Sequence, residues 1–412
     1  MHEPCQIQRT TGTEAAPRAA RRFTLPRSLT RAAALTAVVV FLLPLGATAA
    51  AAYVAAASPL VAVASVVAAR EFSVPVIAGL ILAGVVFVRH RWFCRRVCPM
   101  GLCADAASNL GRHLPGRRPN LPRVGIWLAM AVLGSAVLGY PLFLWLDPLA
   151  LLSGVFSIGG PARSAGAWAA ALGLPVVLLL SVCFPGAWCS RCCPLGGLQD
   201  ALHGWPRRHR PRQDNASDPA QHAPHTLGRR SALAAVVGAA CAFVTRRSIA
   251  AAAPPLRPPG ARASDVFTGL CIRCGNCLRA CPSEIIVPER GERGIAGLFA
   301  PQLTFAADYC REDCVRCTTV CPSGAIERLA KKDKAKAVIG LARVDMNVCR
   351  LGNDEECSAC SSACPFDAVR YVFDEVEYTL TPKIDPQRCP GCGACEVACP
   401  TAPKAIVVRP VE

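Results

Sequence analysis

Long apolar runs separated by short connections fill the first 200 residues, and the rest of the chain changes to short apolar stretches between clusters of cysteine. Runs long enough to cross a bilayer as helices, about 20 residues each, fall near 32–56, 72–90, 123–146 and 167–187. Pro44, Gly46 and Pro59 interrupt the first, so other divisions of Leu35–Ala69 stay open. This pattern predicts an α-helical membrane bundle of about four transmembrane helices in two tandem hairpins over 32–202. Beyond 255 the apolar segments are short and β-prone: Ile285–Val287, Ala325–Ile326, Ala342–Asp345, Ala368–Val372 and Ile406–Val408. They predict a separate α+β domain over 255–412.

Charge sharpens the division. Residues 1–253 contain 25 Arg, no Lys and 8 acids, so they hold the whole net charge of +17, and residues 254–412 are balanced. The basic residues lie between the apolar runs, so topology explains them better than nucleic-acid binding. Arg89, Arg91, Arg95, Arg96, Arg112, Arg117, Arg118 and Arg123 face one acid, Asp105, in the second connection, whereas the other two carry almost no charge. The positive-inside rule then puts the basic tail 1–31, the 89–123 loop and the 203–228 linker in the cytoplasm, and the chain in the cytoplasmic (inner) membrane as a multi-pass protein.

Cysteine supplies the chemistry. Four runs each close on Cys-Pro: Cys271, Cys274, Cys277, Cys281; Cys310, Cys314, Cys317, Cys321; Cys349, Cys357, Cys360, Cys364; and Cys389, Cys392, Cys395, Cys399. The first and last have the bacterial ferredoxin spacing C-x2-C-x2-C-x3-C-P, in which three thiolates wrap one [4Fe–4S] cube and the fourth reaches a neighbouring cube. Disulfides would leave the four Cys-Pro endings unexplained, and zinc sites use pairs set further apart. The domain is therefore expected to be a ferredoxin-like polyferredoxin with four [4Fe–4S] clusters. By analogy with other four-cluster subunits, the first run is expected to share ligands with the fourth and the second with the third.

The two apolar hairpins look like copies. Each has a segment opening Ser58-Pro59-Leu60 or Asp147-Pro148-Leu149, then a helix, then an aromatic-flanked C-x3-C-P, at Cys94/Cys98 and again at Cys189/Cys193. Two thiols cannot hold a cube. Two copies meeting across a pseudo-symmetry axis would supply four, so these cysteines are expected to share one metal or cluster site; a purely structural role or a redox dithiol are the competing readings. Cys103 and Cys192 are candidate auxiliary ligands, and Cys183 and Cys241 read as small core residues. Of seven histidines only His90 touches a predicted span, which gives no basis for a haem.

Between the halves, Gly228-Arg229-Arg230-Ser231 opens an apolar run, Ala232–Val244, that leads to an Ala-rich end. Thirteen residues are short for a span, and Arg246 and Arg247 follow. Residues 229–254 have the shape of a twin-arginine signal or anchor, and cubes assembled in the cytosol would need export in a folded domain. The competing reading is an interfacial helix with the cysteine-rich domain left in the cytoplasm.

On these motifs the chain resembles two families fused head to tail: NapH/MauN-like membrane ferredoxin-type proteins over 30–200, and exported NapG/MauM-like ferredoxins over 228–412, the widened third run being the most specific match. NapH-type proteins usually carry two further cluster motifs after their last helix, and Leu202–Gly228 has none. The resemblance implies an electron carrier or quinol dehydrogenase-like subunit that passes electrons from the quinone pool through the clusters to an extracytoplasmic oxidoreductase. An assembly factor for a periplasmic redox enzyme is the alternative. No G-x-G-x-x-G, P-loop or nucleophile–base pair marks substrate turnover, so no catalytic residue is assigned. Lys331–Lys336 reads as a solvated loop, and Arg279, Arg316 and Glu396 as exposed residues of the cluster loops.

Overall fold

The computed structural model describes residues 27–43, 49–113, 122–159, 168, 171–207, 228–251, 253–291, 294–375 and 378–411. Most of the expected tail (1–26) and most of the linker (208–227) lie outside these.

The first half is helical, in two matching series. The first comprises α1 (Arg27–Leu42), α2 (Ala50–Ala56), α3 (Pro59–Ala69), α4 (Val74–Val88), α5 (Trp92–Arg96) and α6 (Pro99–Arg112). The second comprises α7 (Val124–Val137), α8 (Pro148–Val155), α9 (Gly173–Cys183), a π-turn at Trp188–Cys192 and α10 (Pro194–Arg207). Proline at the first helical position starts α3, α6, α8 and α10, where its missing N–H costs nothing. The packing repeats as well: α6 lies against α1 and α9, and α10 against α7 and α4. Each motif helix is thus held by one helix of its own series and one of the other.

The expected spans are more broken than the hydropathy implied. The four helices α1, α4, α7 and α9 have 16, 15, 14 and 11 residues, each short of the roughly 20 needed to span a bilayer unaided. The first apolar run is split: α2 and α3 meet at a 95° bend, where Ser58 is extended and Pro59 begins a new helix. By contrast, the short run after Arg229 grows into α11 (Arg229–Ala251), 23 residues. Among the described residues it is the one unbroken helix long and apolar enough to cross a membrane. It continues past Val244 because Arg246 finds Asp265 at 2.5 Å and the Leu138 carbonyl at 2.9 Å. α11 crosses α7 where Gly134 and Gly238 let the backbones touch; a Cβ on Gly238 would lie 2.5 Å from the Ala131 carbonyl, the small-residue contact used between membrane helices. The outward faces of α4, α9 and α11 carry large apolar side chains, among them Ile81, Leu179 and Val236, all more than 60% exposed. Cys183 and Cys241 are also exposed on these helices rather than in a core.

The second half consists of two units of one design. In the first, β1 (Ile286–Pro288) and β2 (Pro301–Leu303) form an antiparallel hairpin, and an Ala261–Ile326 bridge closes the ends. In the second, β4 (Val369–Asp374) pairs with β5 (Thr379–Ile384), and β3 (Leu341–Val344) with β6 (Ile406–Arg409) closes the ends. Each unit encloses two consecutive cysteine runs. The expected strands form, except that Ala325–Ile326 contributes only the single bridge. The halves share an unbroken apolar core, from Phe93 and Cys193 through Leu60, Leu144 and Leu149 to Phe267, Leu270 and Cys274.

Candidate cluster sites

In each run the third cysteine enters the first turn of a short helix: α12 (Asn276–Ala280), α13 (Arg316–Thr319), α14 (Ala359–Ser362) and α15 (Ala394–Ala398). In the first and last runs the residues ahead of that helix turn left-handed, at Arg273 and Gly275 and again at Gly391 and Gly393. Such alternation points successive N–H groups inward as an anion-binding nest, common around iron–sulfur sites. Gly275 answers a second demand: a Cβ there would lie 2.4 Å from the Cβ of Ser157 in the helical half.

The thiols gather into sets that cross between consecutive runs. Cys271, Cys274, Cys277 and Cys321 line one cavity of about 530 Å³ including its mouth. Cys310, Cys314, Cys317 and Cys281 line a second of about 330 Å³, and Cys389, Cys392, Cys395 and Cys364 a third of about 320 Å³. In each case the fourth cysteine comes from the partner run in the same unit. Cys349, Cys357, Cys360 and Cys399 are the remaining four, with Cys360 close to Cys349 and 3.9 Å from the Tyr371 hydroxyl. Consecutive runs therefore exchange their fourth thiols, and the expected first-with-fourth and second-with-third pairing is corrected. The reason is topological: the hairpins β1–β2 and β4–β5 fold each run onto its neighbour in sequence.

The donor chemistry fits a cationic cluster. Burial first, and neighbouring thiols after it, push the thiols of Cys274 and Cys317 up to about 12 and that of Cys392 to about 11. Four such groups become thiolates together only around positive charge, which iron supplies. Among the described residues no group of three or more His, Cys, Asp or Glu side chains is arranged to hold a single metal ion. Cys399 departs from the rest. Burial opposes its ionisation, but Thr401 and the amides of Ala405 and Ile406 hold it below its usual value.

Lys334 was not legible as a site residue. Lys331–Lys336 is a 3-10 turn, largely solvated as expected, except that Lys334 is 3% exposed and its Nζ donates to Cys310 Sγ at 3.0 Å. Arg279 is likewise engaged, donating to the Leu42 carbonyl and to Asn276 Oδ1, while Asn276 donates to the Ala51 carbonyl at 3.1 Å. These contacts seat the first run on the helical half. Glu396 accepts from the Val408 amide at 2.8 Å, and Arg316 is exposed as expected.

In the helical half the two C-x3-C-P motifs come together. Cys94, Cys98, Cys189 and Cys193 are mutual electrostatic neighbours, and Gln199 Nε2 donates to Cys94 Sγ at 3.0 Å. The symmetry extends to equivalent residues. Ser58 Oγ donates to Asp147 Oδ2 at 2.5 Å across the two series, and Asp147 Oδ1 caps α8. Asp105 binds Arg31, whose other nitrogen donates to the Cys94 carbonyl; its counterpart Asp200 binds Arg91 through two 2.6 Å bonds and His90 at 2.9 Å. His90 also packs on His203, with ring centroids 4.7 Å apart.

Paired cysteine runs within a repeated hairpin unit define a multi-cluster ferredoxin-type protein. A family model for a 4Fe-4S dicluster domain matches 270–325 and 355–402, one match in each unit. A second, for a 4Fe-4S binding domain, matches 71–118 and 166–213, one around each C-x3-C-P. The chain is 34% identical to the methylamine utilization ferredoxin-type protein MauM of Methylobacillus flagellatus over 192 residues, 45% of this chain and 81% of the relative. It is 34% identical to the MauM of Methylophilus methylotrophus over 170 residues, 40% and 74% respectively. It is 30% identical to the ferredoxin-type protein NapH of Haemophilus influenzae over 129 residues, 30% and 42% respectively. No solved structure matches it. The chain belongs to the NapH/MauM-like ferredoxin-type proteins, and its role is iron–sulfur electron transfer.

Proposed function

We propose that this protein is a membrane-bound conduit that takes electrons from the quinol pool and delivers them to an extracytoplasmic oxidoreductase. The sixteen cysteines of the four runs hold four [4Fe–4S] clusters, which supply one-electron steps when bound. The four thiols of the C-x3-C-P motifs hold one further cluster where the two helical series meet.

The observation that carries this reading is the linear order of the thiol sets. Beyond the first set, which touches the helical half, Cys277 lies in electrostatic range of Cys317, Cys392 of Cys310, and Cys395 of Cys360. The backbone also joins the units, the Cys310 amide donating to the Cys392 carbonyl at 2.8 Å. The order is first, second, fourth, third, running away from the helices. The chain's residues contribute thiolates, dry apolar walls and the Lys334 charge beside the second set.

The helical half is the membrane anchor. Its helices α4, α9 and α11 turn large apolar side chains outward, as a lipid-facing surface does. The C-x3-C-P motifs lie at the arginine-rich end, which the positive-inside rule makes cytoplasmic. The cluster domain docks at the other end, against Leu42, Ala51 and Ser157; it is therefore extracytoplasmic, reached through α11 behind the twin-arginine-like Arg229-Arg230. The test is electron paramagnetic resonance of the protein in proteoliposomes after addition of a short-chain quinol. Reduced-cluster signals within seconds support the conduit; clusters that respond to dithionite but ignore quinol reject it.

A further inference from the structure

At the seam between the halves lies a cavity of about 920 Å³ including its mouth, within the range of small-molecule sites. Its walls come from the turn after α7 (Tyr140, Phe143, Trp145), from Thr245 on α11, and from the loop of the first cysteine run through Arg273. Three features single it out. The walls are largely apolar and aromatic. Tyr140 is buried, whereas Phe143 and Trp145 are partly exposed at the rim, beside Val137 and Val244, which are more than 60% exposed on the helix faces; the mouth thus opens where an apolar surrounding meets the cluster domain. Third, Arg273, which lies between Cys271 and Cys274 in sequence, and Phe299 line both this cavity and that of the first thiol set, so these side chains form the partition between an occupant and the thiols.

Arg273 is held rigidly for such a task. Its guanidinium donates to the carbonyls of Leu298 at 2.7 Å and Ala296 at 2.8 Å and lies 5.6 Å over the Trp145 ring. Its left-handed backbone, φ 57°, is a conformation that non-glycine residues seldom adopt. The geometry points to this cavity as the quinol-oxidising site. An aromatic slot with a cation and a phenol in its wall, open to the apolar phase and backed by an electron acceptor, fits a flat, apolar two-electron donor bearing two hydroxyls. In the reaction the quinol loses both O–H bonds. Its two protons would leave to water at the extracytoplasmic side, and its two electrons would be taken by the iron–sulfur group that Cys271, Cys274, Cys277 and Cys321 would hold, which supplies one-electron acceptance when bound.

The assignment rests on the quinol-relay reading, and the experiment separates the two. Full-length protein in proteoliposomes is labelled with a photoreactive azidobenzoquinone, and quinol-driven cluster reduction is measured for wild type, Thr245→Trp, which fills the cavity, and Tyr140→Phe. Expected are label on 140–145 or 268–273 and at least a tenfold slower reduction in Thr245→Trp. Tyr140→Phe is expected to raise the KM for quinol, with iron content and the dithionite-reduced spectrum unchanged in both variants. Wild type reduced by quinol, with label confined to α4 or α6 and both variants at wild-type rates, overturns the cavity assignment and leaves the relay standing. Wild type that quinol does not reduce overturns the relay itself.

Discussion

Replacing Lys334 by methionine isolates one electrostatic contribution to the electron path. The side chain keeps its length and its apolar stem, so the change removes a buried positive charge and little else. That charge lies 3.0 Å from Cys310 Sγ, and an electron spread over a cluster bound through that sulfur would sit on the order of 5 Å from it. With an effective dielectric of about 20, it stabilises one added electron by roughly 3 kcal/mol, equivalent to about 140 mV for a one-electron couple. The sign follows directly: reduction adds negative charge, the ammonium favours it, and its loss lowers the potential. Burial raises the Cys310 thiol and Lys334 opposes that rise, so the variant should also bind its iron less tightly at neutral pH. The assay is a redox titration of the purified protein followed by electron paramagnetic resonance. One of the cluster potentials should fall by about 100–150 mV, with wild-type behaviour largely restored in Lys334→Arg. No change, or a rise, would refute the placement of Lys334 beside a cluster.

Cys321→Ser should perturb the cluster of the first run, and Cys281→Ser that of the second. The same perturbed signal from Cys321→Ser and Cys310→Ser would restore within-run ligation and contradict the crossed sets. Gly275→Ala should cost at least about 1–2 kcal/mol for its left-handed backbone and force the first run off Ser157; the readout is faster protease cleavage near 253–263 with loss of about four irons per chain. Ser58→Ala removes a donor from the fully buried Asp147, which should destabilise the helical half by about 1–3 kcal/mol. That would appear as a lower Tm in detergent, with Ser58→Thr closer to wild type.

The cysteine runs were legible because a cluster needs thiols at fixed short spacings, and Pro282, Pro322, Pro365 and Pro400 mark where each short helix stops. The order of the sets was not, because it depends on which three- to six-residue strands pair, and local propensity does not choose partners. Analogy chose the wrong pairing where β1–β2 and β4–β5 decide it. The repeat in the helical half was visible in the two C-x3-C-P motifs. The 95-residue offset between Cys94 and Cys189 also relates Asp105 to Asp200, so the paired acids carry the repeat in the sequence too. Helix lengths depart from the hydropathy pattern in both directions. Hydropathy ignores the break that Ser58-Pro59 imposes, and it ends α11 too early because Arg246 has a partner, Asp265, that belongs to the other half. Lys334 lay hidden in a stretch of four lysines whose composition reads as surface, and only the 3-10 turn aims one of them inward.

Iron and acid-labile sulfide per chain, measured on full-length protein purified without oxygen, test the central claim most directly. Four cysteine-held cubes in the distal half and one between the helical series predict about twenty of each. About sixteen would keep the line of clusters and remove the site at Cys94, Cys98, Cys189 and Cys193. Eight or fewer, or zinc in place of iron, would contradict a conduit built on these thiol sets.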